Sequence, residues 1–269
     1  MTLDWARQRV WITGATSGLG RALALTLGQQ GTSLVLSGRN ADALTALASE
    51  LGPLREGQTV DAVAFDLAEK QNYQTLVTST VAKTGRIDIM VHNAGLSQKG
   101  FFRETEAEVE ETLWRVNYQS TVELTKALLP YMIEWGGGQI VVVGSIAGRY
   151  GAPYLTTYSA TKHALYGFYE SLRYEVEQHG VSVLMVTPGF IKTDIARKAL
   201  NERGEAALQD SKAQANGIPP AQAAQKMVKA MSKKKNGTLY IGKLELLFLP
   251  ISQLSPRLFY WLIKKLHQL

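Results

Sequence analysis

The chain has 269 residues, of which 45% are hydrophobic and 19% are charged, a composition typical of a globular protein with a sizeable core rather than of a disordered chain. It contains no cysteine, which excludes disulfide bonds and thiolate metal sites, and residues 1–9 lack the apolar stretch of a secretory signal, so we expect a cytoplasmic protein. The net charge of +6 has its densest run at residues 233–235, in a predicted turn, and we expect no nucleic-acid site.

Short runs rich in valine and isoleucine alternate along the chain with longer segments of helical period. This pattern predicts βαβ units and a parallel sheet. Strands are predicted at residues 10–13, 33–37, 60–65, 87–92, 139–144, 181–187 and 238–241. Helices are predicted at residues 18–30, 41–51, 70–83, 106–135, 154–179 and 220–231. The expected fold is an α/β fold in which a parallel sheet of about seven strands is doubly wound, with helices on both faces.

The first predicted strand leads directly into a glycine-rich turn in which a helix begins. Glycines at such a turn let backbone N–H groups approach a pyrophosphate, which then lies at the positive end of the helix. The spacing is Gly-x-x-x-Gly-x-Gly; a glycine turn can also serve tight packing alone, but its place after the first strand favours the phosphate site. The predicted cofactor-binding residues of this turn are Gly14, Thr16, Ser17, Gly18, Leu19 and Gly20.

The end of the second predicted strand is where the ribose of a bound dinucleotide would lie. An acidic residue there would bind the 2′-hydroxyl of NAD, whereas an arginine can pair with a 2′-phosphate. This chain has Arg39 and no acid at that place, which predicts NADPH as the cofactor. The alternative is that Arg39 is only a solvent-facing loop residue.

Ser145 follows the apolar run 140–144, and Tyr158 and Lys162 form a Tyr-x-x-x-Lys pair that begins 13 residues later. On a helix this spacing puts phenol and ammonium on one face, where the cation would lower the phenol pKa and make a proton donor of it. Tyr260 and Lys264 have the same spacing, so spacing alone is a weak signal. The strand that ends before Ser145 distinguishes the first pair, because ligands gather at strand ends in open α/β sheets.

These motifs, in this order, resemble the short-chain dehydrogenase/reductase family over residues 9–242. His92 departs from the family, which often has asparagine there, and we interpret it as a packing residue. The matching positions are Gly14, Gly18, Gly20, Asp66, Leu67, Asn93, Ala94, Gly95, Asn117, Ser145, Tyr158, Lys162, Pro188 and Gly189.

The resemblance implies a Rossmann-like fold and an NADP-dependent enzyme that transfers a hydride between nicotinamide and a small-molecule carbonyl or alcohol. Tyr158 would exchange the proton with the substrate oxygen, and Ser145 would hydrogen-bond that oxygen. Lys162 would lower the phenol pKa and hold the nicotinamide ribose, and Asn117 would support a water leading to Lys162.

The resemblance also assigns residues to the rest of the cofactor. Asp66, followed by Leu67, would contact adenine, and Asn93, with Ala94 and Gly95 after it, would help to hold the adenosine side. Thr193, five residues past Pro188 and close to Gly189, would approach the nicotinamide amide. The family commonly pairs through the helices predicted at 106–135 and 154–179, which implies a homodimer or homotetramer.

Two segments bear on the substrate. Residues 190–217, within a catalytic domain at 1–243, are predicted to be a mobile loop with a short helix that can close over a ligand. Residues 244–269 form an apolar extension. Pro250 and Pro256 interrupt any continuous membrane span in it, and the helix predicted at 257–269 is amphipathic. That helix can lie on a membrane surface, or cover the substrate cleft or a partner subunit, and we prefer the covering interpretation.

The tail and loop are similar to those of reductases of lipid-like ketones, such as the ketosphinganine and acyl-dihydroxyacetone-phosphate reductases. We therefore expect a carbonyl substrate of lipid-like or steroid-like character. The alternative function is a non-catalytic dinucleotide-binding redox sensor, against which the intact Ser145, Tyr158 and Lys162 argue.

Overall fold

The computed structural model describes residues 3–52, 55–209 and 211–267, and its strands form one parallel sheet. The strands of this described part are β1 (Arg9–Thr13), β2 (Ser33–Gly38), β3 (Val60–Ala64), β4 (Ile89–His92), β5 (Gly138–Val143), β6 (Val181–Pro188) and β7 (Gly237–Ile241). Their order is β3-β2-β1-β4-β5-β6-β7, with every neighbouring pair parallel. The order reverses between β1 and β4, and in open sheets of this kind ligands bind outside the carboxyl ends of the strands at that point.

The helices lie on both faces of the sheet, so the predicted doubly wound α/β fold is confirmed. The described helices are α1 (Gly18–Gly28), α2 (Ala41–Leu51), α3 (Tyr73–Thr84), α4 (Ala107–Trp114), α5 (Ser120–Glu134), α6 (Thr156–Val176), α7 (Lys212–Ala215), α8 (Pro220–Met231), α9 (Phe248–Leu254) and α10 (Pro256–His267). One core packs α1, α2 and α8 against the sheet, and the other packs α3, α5 and α6. Within β1, Val10 and Ile12 belong to the first core and Trp11 to the second, as the strand's alternation requires.

The long helix predicted at residues 106–135 is interrupted. Between α4 and α5 lies a π-helical segment, Arg115–Gln119, with wider hydrogen-bond spacing than an α-helix. Such segments are frequent at functional sites, and this one carries Asn117. The helix predicted at 154–179 also starts later than expected, at Thr156, because Tyr154 adopts a left-handed backbone conformation with φ of 67°.

Two loops at the carboxyl edge of the sheet are joined to each other. The N–H of Lys99 donates to the carbonyl of Leu200 at 2.8 Å, and the N–H of Leu200 donates to the carbonyl of Ser97 at 2.9 Å. The loop after β4 is thereby paired with the segment after β6, within which α7 is the short helix that the sequence predicts.

The tail folds back on the same edge. The N–H of Phe190, just after β6, donates to Glu245 Oε1 at 3.0 Å, and the ring of Phe259 on α10 lies 5.0 Å from that of Tyr150, centroid to centroid. Residues 268 and 269 of the predicted tail helix lie outside the described residues. None of the described helices is long and apolar enough to cross a membrane.

Candidate active site

The glycine turn between β1 and α1 is shaped by two residues in the left-handed region and by one close approach. Gly14 has φ of 65° and Gly18 has φ of 53°, values that favour glycine. A Cβ added to Gly20 would lie 2.3 Å from the carbonyl oxygen of Gly14, a distance that no side chain tolerates. The Ser17 side chain, which precedes α1, does not cap the N–H groups of the first helical turn. Backbone donors and the helix dipole together suit a pyrophosphate.

The end of β4 clamps this turn. Asn93 Nδ2 donates to the carbonyls of Thr13 at 3.0 Å and Gly14 at 3.2 Å. The backbone N–H groups of Asn93 and Ala94 donate to Thr13 Oγ1 at 3.1 and 3.2 Å. The Asn93 side chain therefore holds the shape of the glycine turn.

Arg39 follows β2 and is exposed, and it forms no ion pair with a carboxylate in the described part of the chain. A Cβ on Gly38 would lie 3.6 Å from Thr16, so the end of β2 adjoins the glycine turn. Asp66 Oδ1 accepts a hydrogen bond from the Ala68 N–H at 2.9 Å. The next residue, Leu67, is buried. The residues predicted around the adenosine thus gather along the carboxyl ends of β1, β2 and β3.

Ser145, Tyr158 and Lys162 meet beside the end of β5. The Tyr158 hydroxyl hydrogen-bonds the Ser145 side chain, and Ser145 Oγ accepts the N–H of Ala147 at 3.1 Å. Lys162 Nζ donates to the carbonyl of Val143 at 3.0 Å and lies 5.9 Å from the centroid of the Tyr158 ring. By contrast, the second Tyr-x-x-x-Lys pair lies on the exposed surface of α10.

The electrostatics of this cluster differ from the expectation that Lys162 lowers the phenol pKa. Burial raises the pKa of Tyr158, and the hydrogen bond from Ser145 opposes that rise. Burial also lowers the pKa of Lys162 to about 8. Desolvation by burial is the largest cause of both shifts, and the hydrogen bond of Lys162 Nζ goes to the Val143 carbonyl. In this arrangement the serine, not the lysine, favours the phenolate.

Asn117 joins the loop after β4 to α6. Its Nδ2 donates to the Leu96 carbonyl at 2.9 Å and to Thr161 Oγ1 at 3.1 Å, and its Oδ1 accepts the Leu96 N–H at 2.8 Å. A Cβ on Gly95 would lie 3.2 Å from Asn117 Oδ1 and 3.3 Å from Lys162 Nζ, so both groups border the same small space. The π-helical segment turns Asn117 into this space.

The segment after β6 completes the cleft. The N–H of Gly189, which follows Pro188, donates to the carbonyl of Ile241 at 2.8 Å, and a Cβ on Gly189 would overlap Glu245 of the tail. Thr193 reaches back to the glycine turn, where its Cγ2 would lie 3.2 Å from a Cβ on Gly18. Thr193 thus lies close to Gly18 at the start of α1.

His92 is not part of the cluster of Ser145, Tyr158 and Lys162. It is buried, its Nε2 lies 2.7 Å from Thr125 Oγ1, and burial lowers its pKa to about 3. A neutral, enclosed imidazole of this kind acts in packing.

Three residues at the site escaped the sequence reasoning. Thr13 ties the turn to β4, Tyr166 donates from its hydroxyl to the Ser145 carbonyl at 3.3 Å, and Gln98 bonds the start of α6. Thr13 lies within the motif and could have been noticed. Gln98 and Tyr166 act on residues that are 60 and 21 positions away in the chain, a relation that no local pattern contains.

The comparisons with known proteins point to one family and one fold. A family model described as short chain dehydrogenase matches residues 8–204. Dehydrogenase/reductase SDR family member 7B of Bos taurus is 36% identical over 97% of this chain and 84% of its own length. A short-chain dehydrogenase from Sphingobium yanoikuyae in complex with NADPH has a TM-score of 0.74 at 27% identity, covering 87% of each chain. A short chain dehydrogenase/reductase from Burkholderia phymatum in complex with NAD shares the fold, with a TM-score of 0.83 at 23% identity over 95% of this chain and 96% of its own.

Proposed function

This chain belongs to the short-chain dehydrogenase/reductase family, whose members use a nicotinamide cofactor for oxidoreduction, and from that premise we propose that it is an NADPH-dependent reductase of a ketone or aldehyde. The observation that carries the proposal is the hydrogen bond between Tyr158 and Ser145, with Lys162 over the tyrosine ring, at the same sheet edge as the glycine turn. A proton donor beside a phosphate cradle is what carbonyl reduction by a dinucleotide requires.

When bound, the nicotinamide supplies the hydride that reaches the carbonyl carbon. Tyr158 donates its hydroxyl proton to the carbonyl oxygen, and the product is the alcohol; in the reverse direction the phenolate accepts that proton. Ser145 hydrogen-bonds the same oxygen as negative charge develops on it. Lys162 would hold the nicotinamide ribose, and Asn117 would support a water that leads to Lys162.

The rest of the cofactor would be held by residues that the fold gathers along the carboxyl edge. The close approach at Gly20 and the uncapped start of α1 fit a pyrophosphate, and Thr193 would contact the nicotinamide amide. The full proposed set is Gly14, Thr16, Ser17, Gly18, Leu19, Gly20, Arg39, Asp66, Leu67, Asn93, Ala94, Gly95, Tyr158, Lys162, Pro188, Gly189 and Thr193.

The preference for NADPH rests on Arg39, an exposed cation at the end of β2 that forms no ion pair with a carboxylate of the described residues. We expect NADPH to bind more tightly than NADH. Arg39→Asp should reverse the order, because a carboxylate repels the 2′-phosphate and accepts a hydrogen bond from the 2′-hydroxyl. Titration of both cofactors by fluorescence measures this; equal affinities that the substitution leaves unchanged would remove the assignment.

The activity is tested by NADPH oxidation over a panel of carbonyl compounds with the wild type and Tyr158→Phe. Loss of the general acid should lower kcat by about 10²- to 10⁴-fold while NADPH affinity changes little. Tyr174→Phe is the control, since Tyr174 is 79% exposed near the end of α6 and its hydroxyl lies outside the proposed site. NADPH binding without oxidation of any panel member by the wild type would favour the redox-sensor alternative.

The substrate class is proposed to be lipid-like or steroid-like. A cavity of about 550 Å³ lies between the loop 151–153 and α10, and Phe259 and Ile263 are among the side chains that line it. Apolar walls of this kind fit an extended apolar molecule. Within the panel, ketones with long alkyl or steroid skeletons should give higher kcat/KM than short polar ketones of equal reactivity.

We propose a catalytic domain at residues 1–243 with an extension at 244–269. The assembly would be a homodimer or homotetramer that pairs through α5 and α6.

The inward side of α10 already packs on Tyr150, and its outward side exposes Leu258 and Trp261 near Arg257, Lys264 and Lys265. We propose that this outward side makes peripheral contact with an anionic membrane surface and that the protein is otherwise cytoplasmic.

A further inference from the structure

Gln98 occupies an unusual position for a polar side chain. It lies in the loop after β4, is 1% exposed, and its Oε1 accepts two backbone hydrogen bonds, from the N–H of Thr157 at 2.9 Å and from that of Tyr158 at 3.1 Å. One side chain therefore satisfies two of the unpaired donors at the N-terminus of α6.

The residue next to the helix start does not cap these N–H groups. The residue before the first turn of α6 is Leu155, which has no side-chain acceptor, and the cap comes from a residue about 60 positions earlier in the chain. The amide is also fixed in one orientation, because only its oxygen can accept from N–H donors. Its Nε2 is buried and has no acceptor among the described residues. The hydrogen bonds that orient the amide are therefore the two that its oxygen accepts.

The backbone of Gln98 is fixed as well. It forms a parallel bridge with Leu200, and Ser97 and Lys99 on either side exchange hydrogen bonds with Leu200. The residue that holds the start of α6 is thus part of the pairing between the loop after β4 and the segment after β6. A displacement of that segment would be transmitted through Gln98 to the backbone of Tyr158.

We propose that Gln98 is a positioning residue that holds the backbone of Tyr158 in register with the substrate segment at 190–217, and so sets where the phenol hydroxyl meets Ser145. The inference rests on the proposed function of Tyr158 as proton donor. A shift of about 1 Å in a reacting group can lower a rate by about 100-fold, so a cap on the first turn of this helix affects catalysis without touching the substrate.

The experiment compares Gln98→Met, which keeps the volume and removes the acceptor, with Gln98→Glu, which keeps two acceptor oxygens on the same skeleton. The full-length protein is used throughout. We measure kcat and KM for NADPH, and hydrogen–deuterium exchange of the backbone amides at 157 and 158. Gln98→Met should lower kcat by about 10- to 100-fold, leave the KM for NADPH within about twofold, and accelerate exchange at both amides by about fivefold.

Gln98→Glu should restore the slow exchange and most of kcat, which loss of packing alone would not predict. Gln139→Met is the matched control, since Gln139 is also fully buried, in β5, and its Nε2 is 3.4 Å from Ser182 Oγ; it should leave kcat and the exchange of α6 unchanged. The inference fails if Gln98→Met keeps wild-type kcat or wild-type exchange, or if Gln98→Glu exchanges as fast as Gln98→Met. An inactive wild type would count against the proposed function alone, because the exchange data still decide whether Gln98 caps α6.

Discussion

Gly20 shows how a single missing side chain shapes the cofactor turn. The turn curls so tightly that a Cβ there would lie 2.3 Å from the carbonyl oxygen of Gly14 and 2.4 Å from Asn93 Nδ2. Neither atom can retreat easily, because the two already hydrogen-bond each other at 3.2 Å. Gly20→Ala should therefore open the turn, lower the free energy of unfolding by about 1–3 kcal/mol and weaken NADPH binding.

The measurement is denaturant unfolding together with cofactor titration, and Gly167→Ala is its matched control. Gly167 lies inside α6, and a Cβ there meets nothing within 4 Å. The same substitution should there raise the free energy of unfolding by about 0.4–1 kcal/mol, because alanine has less freedom to lose in a helix, with no change in NADPH affinity. Equal effects of the two substitutions would show that the contact at Gly20 is not what limits the turn.

His92 makes stability depend on pH. Burial lowers its pKa from 6.5 to about 3, so the unfolded chain binds a proton below pH 6.5 that the folded chain does not. The contribution of neutral His92 to the free energy of unfolding is fully present above pH 6.5. It is lost as the pH falls towards 3, at about 1.4 kcal/mol per pH unit. His92→Asn should remove this dependence, and the free energies of unfolding at pH 7 and pH 5 should then differ by about 2 kcal/mol less than in the wild type.

Urea unfolding at the two pH values measures that difference. His179→Asn, at an exposed position, is the control and should keep the wild-type dependence. If His92→Asn loses as much free energy of unfolding between pH 7 and pH 5 as the wild type, groups other than His92 determine the pH dependence. Asparagine fits this position chemically because it can still bond Thr125, which now lies 2.7 Å from the imidazole.

At the scale of elements, the π-helical segment between α4 and α5 determines what Asn117 can do. One wider turn rotates its side chain onto the loop at Leu96 and onto Thr161 of α6, where all three of its hydrogen bonds form. Asn117→Ala should lower the free energy of unfolding by about 1–3 kcal/mol, because the groups it leaves are buried and unpaired. It should also lower kcat, because the loop beside Lys162 is no longer fixed.

A second asparagine separates stability from catalysis. Asn72 is exposed and caps α3 by accepting the N–H of Thr75 at 3.1 Å. Asn72→Ala should cost about 1 kcal/mol of stability and leave kcat unchanged. If both variants lost stability but neither lost activity, Asn117 would be a structural residue only.

The elements themselves were largely predictable from the sequence, because hydrophobic period and turn residues act locally. All seven strands and the bounds of α2 and α8 follow from that period, and the glycine turn follows from the motif. The π-helical segment and the left-handed Tyr154 were missed because both result from tertiary contacts that override local preference. The direction of the Tyr158 pKa was wrong for the same reason, since burial is a property of the folded molecule.

At the scale of the whole molecule, the sheet order explains why residues so far apart in the chain can act together. β1 lies between β2 and β4, and β5 and β6 follow β4, so the residues after each strand share one edge. The glycine turn, Asn93, Ser145 and Pro188 are therefore neighbours although they lie between positions 14 and 188 of the chain. The tail is added to this edge through Glu245 and Phe259, a contact for which the sequence offers no sign beyond its amphipathic pattern.

The two sides of α10 lead to the last prediction. Phe259 packs on Tyr150, whereas Leu258 is 47% and Trp261 is 55% exposed, with Lys265 Nζ 5.2 Å from the Trp261 ring. Exposed leucine, tryptophan and lysine on one helix suit the interface of an anionic bilayer.

The double variant Leu258→Ser, Trp261→Ser should bind vesicles of mixed phosphatidylcholine and phosphatidylglycerol about tenfold more weakly in flotation, at unchanged Tm. Phe259→Ala should have the opposite profile, with a lowered Tm because it loses packing against Tyr150. Because the attraction is partly electrostatic, wild-type binding should also weaken as salt is raised. Vesicle binding that neither the outward substitutions nor salt reduces would show that α10 does not dock on lipid and serves only to cover its own chain.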